Sequence, residues 1–148
     1  MEFNFVPLTI EMVNEISSWR YSGYMKDIYT QPYYDNYDLE TQTTKGPGGC
    51  HGFGVYDDNR LMGLFEYYFY DGVLELGLAL APDYIGKGYS KAFILAGITF
   101  GVKTYEYKLP YVQLHVDIDN ESARIAYKKA GFTEVSIDNN EILMKYYL

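Results

Sequence analysis

One stretch narrows the folds open to this chain more than any other: Leu78-Ala79-Leu80-Ala81-Pro82-Asp83-Tyr84-Ile85-Gly86-Lys87-Gly88-Tyr89-Ser90-Lys91. It reads as the end of a strand, a glycine turn, and the start of a long helix over residues 88–105. That helix is apolar around most of its circumference, so it must be substantially buried. The strands before it form a meander over residues 52–56, 61–70 and 73–80, with turns at Asp57-Asp58-Asn59 and Asp71-Gly72. Asp-Gly tolerates the positive φ of a tight turn, so the last two strands are predicted to be antiparallel neighbours. On the final strand Leu74, Leu76, Leu78 and Leu80 share one face. The other face carries Val73, Glu75, Gly77 and Ala79, which sets a carboxylate among apolar or small neighbours.

The flanking segments extend the alternation of strand and helix. Residues 3–8 read as a strand; Thr9 is a predicted N-cap, and Glu11, Met12, Val13, Ile16 and Trp19 follow the charge and spacing of a helix over residues 10–19. Residues 20–49 have poor periodicity, many tyrosines and acids, and one short helix expected near residues 24–29. This segment is either a wall that selects a substrate or an irregular surface cover. Pro110 opens a strand through Val116, Asn120 caps a further helix, Gly131 supplies its left-handed end, and residues 132–137 and 142–147 close as a hairpin. At 148 residues the whole chain is expected to be a single domain.

Charge and cysteine usage exclude several partners. With 20 acidic and 12 basic residues the net charge is −8, which opposes contact with a phosphate backbone, so no nucleic acid is expected. The same field attracts cations, although it also serves solubility. One cysteine, Cys50, precludes an internal disulfide, and two histidines without a second thiol argue against a metal site. No apolar run approaches the ~20 residues of a membrane span, so no membrane partner is expected and the cytoplasm is the expected address.

The glycine turn has a chemistry of its own. The first amides of a helix lack internal partners and sit at its positive pole, while glycine lets an anion reach the backbone. Lys87 and Lys91 add positive charge. The competing reading is a tight connection whose glycines merely make the turn. The dinucleotide fingerprint is absent, and an antiparallel meander does not precede a doubly wound sheet. In the later helix, Asn120 and Tyr127 stand seven residues apart, nearly two turns, so a capping carboxamide and a phenol project toward one side. Tyr127 as an ordinary packed tyrosine is the alternative.

These two motifs resemble those of the GNAT N-acetyltransferase superfamily. Its first signature is Gln or Arg, two variable residues, Gly, one variable residue, and Gly or Ala. Here those places hold Ile85, Gly86, Lys87, Gly88, Tyr89 and Ser90, so Gly88 matches while Ile85 and Ser90 depart. The later run Asp119-Asn120-Glu121-Ser122-Ala123-Arg124-Ile125-Ala126-Tyr127-Lys128-Lys129-Ala130-Gly131-Phe132 is similar to the family's second motif.

The resemblance implies an α+β fold of three layers, with a mixed central sheet, an antiparallel N-terminal meander, a splayed parallel strand pair and flanking helices. It implies acetyl-CoA as cosubstrate, and an amine acceptor: a small cationic amine, a peptide N-terminus or a lysine. The diphosphate is expected on Ile85, Gly86, Lys87, Gly88, Tyr89, Ser90 and Lys91, and the pantetheine arm on backbone groups of Leu78, Ala79 and Leu80 where they splay from residues 111–116. Asn120 is expected to help hold the cosubstrate and Tyr127 to face its sulfur as proton donor. Glu75 is the first candidate for the base, with Glu66 and His115 in reserve and His51 behind them. A noncatalytic acyl-CoA-binding regulatory domain of the same fold is the alternative function, and a protein-binding adaptor is a third. A homodimer enters only by family analogy.

Overall fold

The structure, a computed structural model, describes residues 2–22 and 27–148. Its strands are β1 (Phe3–Pro7), β2 (His51–Asp57), β3 (Arg60–Tyr70), β4 (Val73–Leu80), β5 (Tyr111–Asp117), β6 (Thr133–Asp138) and β7 (Glu141–Tyr147). The helices are α1 (Ile10–Ser17), α2 (Gln31–Asp35), α3 (Ser90–Thr104) and α4 (Glu121–Ala130). The sheet runs β1-β2-β3-β4-β5-β7-β6, and its one parallel neighbour pair among those described is β4 with β5. This is the mixed α+β architecture expected from the sequence.

Packing divides the chain into two compact units, residues 1–68 with 77–87 and residues 69–76 with 88–148. In the first, β1, β2 and β3 form the antiparallel meander. Val55, Met62, Leu64, Phe65 and Tyr67 are almost wholly buried. Each such side chain contributes roughly 1.5–3 kcal/mol through burial. Helix α1 forms because Thr9 Oγ1 accepts from the Met12 amide at 3.2 Å while Met12, Val13 and Ile16 turn one apolar stripe inward.

In the second unit β5, β7 and β6 pair antiparallel, and Leu74, Phe93, Ile94, Val112, Leu114, Ile142 and Met144 form the core. Helix α4 is capped at one end by Asn120 and at the other by Gly131, whose φ of 116° only glycine adopts readily. The turn between β3 and β4 uses Asp71 and Gly72 at φ 50° and 80°, the mirror-image hairpin turn read from the sequence.

Two boundaries differ from the sequence reading. The short helix expected near residues 24–29 falls partly outside the described residues, and residues 27–30 are not helical. The helix of this segment is instead α2, where Pro32 in the first turn presets φ. Helix α3 begins at Ser90 rather than Gly88, because Gly86 and Gly88 hold positive φ of 73° and 85°, which right-handed helix forbids.

Candidate active site

The turn into α3 is built to leave amides exposed. A short helical turn at Pro82–Tyr84 follows β4, and Arg60 fixes it by an ion pair to Asp83 at 3.1 Å and by lying 5.4 Å from the Tyr84 ring centroid. Asp83 therefore has its own cation. Gly86 and Gly88 follow, and a Cβ built at either meets nothing within 4 Å. Tyr89 is the N-cap of α3 and makes no side-chain capping bond, and the first turn of the helix has no acidic residue. Lys87 and Lys91 are exposed. Uncapped amides at the positive end of a 15-residue helix, flanked by lysines, suit a bound anion such as a diphosphate.

Tyr127 lies seven residues beyond the α4 cap. Asn120 Oδ1 accepts from the Ala123 amide and from Ser122 Oγ, both at 3.3 Å, so the predicted capping role holds. Arg124 and Lys128 both bind Glu134, at 3.1 and 3.2 Å, which ties α4 to β6 and holds the Glu134 carboxyl below its ordinary range. The Tyr127 ring is half-buried against Phe132, 5.8 Å between centroids. Desolvation pushes its hydroxyl up to about 12, so the phenol stays protonated. Among the described residues no hydrogen bond engages that hydroxyl.

On β4, Glu75 has polar partners that its own strand does not reveal. The parallel ladder sets Glu75 beside Gln113; Glu75 Oε1 accepts from Gln113 Nε2 at 2.9 Å and lies 3.0 Å from His115 Nδ1, within ion-pair distance. The first candidate base and one of its reserves thus form a single group. At the end of the same strand, the Leu80 carbonyl accepts from Tyr21 Oη at 2.6 Å. The Leu80 carbonyl is therefore engaged within the protein.

Glu66, the other reserve, is committed elsewhere. Its Oε2 accepts from Tyr33 Oη at 2.5 Å and from Cys50 Sγ at 3.7 Å, and its Oε1 from Tyr68 Oη at 3.3 Å. Gly77 leaves room for it, since a Cβ there would stand 3.2 Å from Oε1. The Tyr33 ring fills space that Gly46 and Gly52 leave open: a Cβ at either would press directly on it. Gly46→Ala is therefore expected to destabilise the fold by about 1–3 kcal/mol, the usual cost of overpacking, read by urea unfolding. An unchanged midpoint contradicts the packing.

The same cluster predicts a pH effect. Burial raises the Glu66 carboxyl above the ordinary 4.5, outweighing the hydrogen bonds from Tyr33, Cys50 and Tyr68 that act to lower it. A value higher in the folded chain gives stability that is complete below the unfolded value and lost as pH rises through the folded one. Wild type is thus expected to lose stability relative to Glu66→Gln as pH rises above 4.5 toward neutrality. A difference between the two that is flat with pH contradicts this. His51 is exposed at the start of β2. Among the described residues no cluster of His, Cys, Asp or Glu is placed to hold a metal, and no helix is long and apolar enough to cross a membrane.

With these motifs in place, the model of the acetyltransferase (GNAT) family matches residues 11–132. The chain belongs to that family. Its chemistry is therefore transfer of an acetyl group from acetyl-CoA to an amine. No curated protein sequence matches the chain significantly.

Among solved structures, a chimera of the spermidine N-acetyltransferase SpeG from Vibrio cholerae and hSSAT shares its fold at TM-score 0.74 and 18% identity, covering 99% of this chain and 96% of that one. The spermidine N-acetyltransferase from Vibrio cholerae in complex with CoA and spermine gives 0.68 and 18%, covering 98% and 95%. Its dodecameric form gives 0.66 and 18%, covering 99% and 92%. At such identities the likeness is one of fold.

Proposed function

We propose that this GNAT acetyltransferase acts as one catalytic domain on a small polycationic amine, with the cosubstrate's diphosphate on the turn 85–91. The observation that carries the reading is the uncapped start of α3 behind two glycines of positive φ. Ile85, where the family signature has a polar residue, is exposed and apolar, so recognition rests on the amides from Gly86 to Lys91 and on the two lysines. Leu78 and Ala79 offer backbone groups to the pantetheine arm, and an amide near Leu78 polarises the acetyl carbonyl. Asn120 is assigned to the cosubstrate beside its capping role.

A thioester is already activated, so the protein's task is to align the amine, take its proton and supply one to the departing thiolate. Tyr127 supplies the proton to the thiolate: its hydroxyl is protonated and, among the described residues, uncommitted. The group formed by Glu75, Gln113 and His115 takes the proton of the amine.

The cationic acceptor is supported by the net charge of −8 and by the relatives of this fold, which are named for spermidine and spermine. Free-thiol release from acetyl-CoA across spermidine, spermine, a lysine peptide and an aminoglycoside tests it. The polyamines are expected to exceed the peptide in kcat/KM by about tenfold or more. Their kcat/KM is also expected to fall as salt rises, because screening weakens attraction by exposed charge. A preference for the peptide, or no salt dependence, contradicts the assignment. We also assign the protein to the reducing cytoplasm, in keeping with its free buried Cys50, and to a homodimer by family analogy, which light scattering tests.

A further inference from the structure

We infer that His115 is the residue that takes the proton from the acceptor amine, and that Glu75 is the positioning residue that holds its imidazole. The inference rests on the transferase reading above and assigns the base within that site. Glu75 Oε1 accepts from Gln113 Nε2 at 2.9 Å and lies 3.0 Å from His115 Nδ1, within ion-pair distance. A carboxylate oxygen at that distance from Nδ1 favours the tautomer with its proton there, which leaves the lone pair of the neutral ring on Nε2. The Glu75 side chain is 15% exposed and that of His115 40%, so it is the ring that an arriving amine meets.

Strand alternation supports this placement. Val112, Leu114 and Val116 bury one face of β5, and Gln113 and His115 stand on the other. Gln113 matters because it is a neutral donor: it fixes the carboxylate without giving it a competing charge. The pair then works as other imidazole–carboxylate pairs do, the carboxylate orienting the ring and stabilising the imidazolium that forms.

The proton and bond changes balance. The ammonium loses one proton to His115 Nε2, and the free amine attacks the acetyl carbonyl carbon. The carbon–nitrogen bond forms, the carbon–sulfur bond breaks, and Tyr127 protonates the departing thiolate. The second proton of the nitrogen restores the phenol, and His115 returns its own to water.

Two measurements test the assignment in the full chain. In steady-state kinetics with acetyl-CoA and an amine that turns over, His115→Ala is expected to lower kcat about 10²-fold, with KM for acetyl-CoA unchanged and activity partly restored by added imidazole. Glu75→Gln keeps an oxygen able to accept from Nδ1 and is expected to lose less than His115→Ala. The reverse order, or full turnover by His115→Ala, overturns the assignment while leaving the transferase reading intact. A wild type that releases no thiol with any amine overturns that reading and this one with it. Independently of turnover, ¹⁵N NMR of the wild-type imidazole is expected to show the neutral Nδ1–H tautomer, lost in Glu75→Leu. A ring protonated at Nε2 alone in the folded wild type overturns the inference whatever the variants do.

Discussion

Replacing Tyr127 with phenylalanine is expected to lower kcat about 10²–10³-fold while leaving KM for acetyl-CoA nearly unchanged, the range typical of removing one proton donor from a transition state. The reason is local. Tyr127 keeps its ring against Phe132, an aromatic contact that phenylalanine reproduces, so the variant should fold and bind normally. What disappears is a hydroxyl that desolvation keeps protonated, at about 12, and that no hydrogen bond engages among the described residues. Thiol release and thermal unfolding measured side by side separate the two effects. A variant of normal stability and full turnover would show that the thiolate leaves without help from this residue.

Gly88→Val is expected to weaken acetyl-CoA binding about 10–100-fold, corresponding to about 1.4–2.8 kcal/mol. At φ 85° a β-branched residue is strongly disfavoured, with a strain of about 1–3 kcal/mol. Packing is not the cause, since the space around the missing Cβ is open. To relieve the strain the turn must rearrange, and the amides that open α3 move with it. The new side chain also stands where the anion would approach the backbone. Titration calorimetry with CoA reads the effect directly. An unaltered affinity would mean that the diphosphate is held somewhere else.

The parts of this molecule legible in the sequence are those whose causes are local. Asp71-Gly72 predicts its own turn, Thr9 and Asn120 their own caps, and Gly131 its own left-handed residue, because each depends on a few neighbouring atoms. The glycine turn before α3 is legible for the same reason. The helix pattern runs two residues past the true start of α3, because Gly88 takes the positive φ of the turn. In the tyrosine-rich segment, α2 is a five-residue helix with one buried residue, Tyr33, too short to leave a periodic stripe.

The surroundings of Glu75 are not legible in its own segment, because they come from another strand. On its own strand Glu75 has only apolar or small neighbours; its partners Gln113 and His115 arrive through a parallel pairing whose register no local pattern encodes. Nothing along β3 shows that Glu66, a reserve candidate, is occupied, yet Tyr33, Cys50 and Tyr68 bind it, and two of these come from outside that strand. The engagement of Leu80 by Tyr21, 59 residues away in sequence, was hidden in the same way.

Incubating the purified chain with acetyl-CoA and spermidine, then weighing the amine by mass spectrometry while titrating free thiol, decides whether the chain acetylates a polyamine. Acetylated spermidine and CoA thiol are expected in equal amounts, both abolished when either partner is omitted. Tight binding of acetyl-CoA with no acetylated amine from any acceptor, or thiol released only by hydrolysis, would contradict the transferase reading.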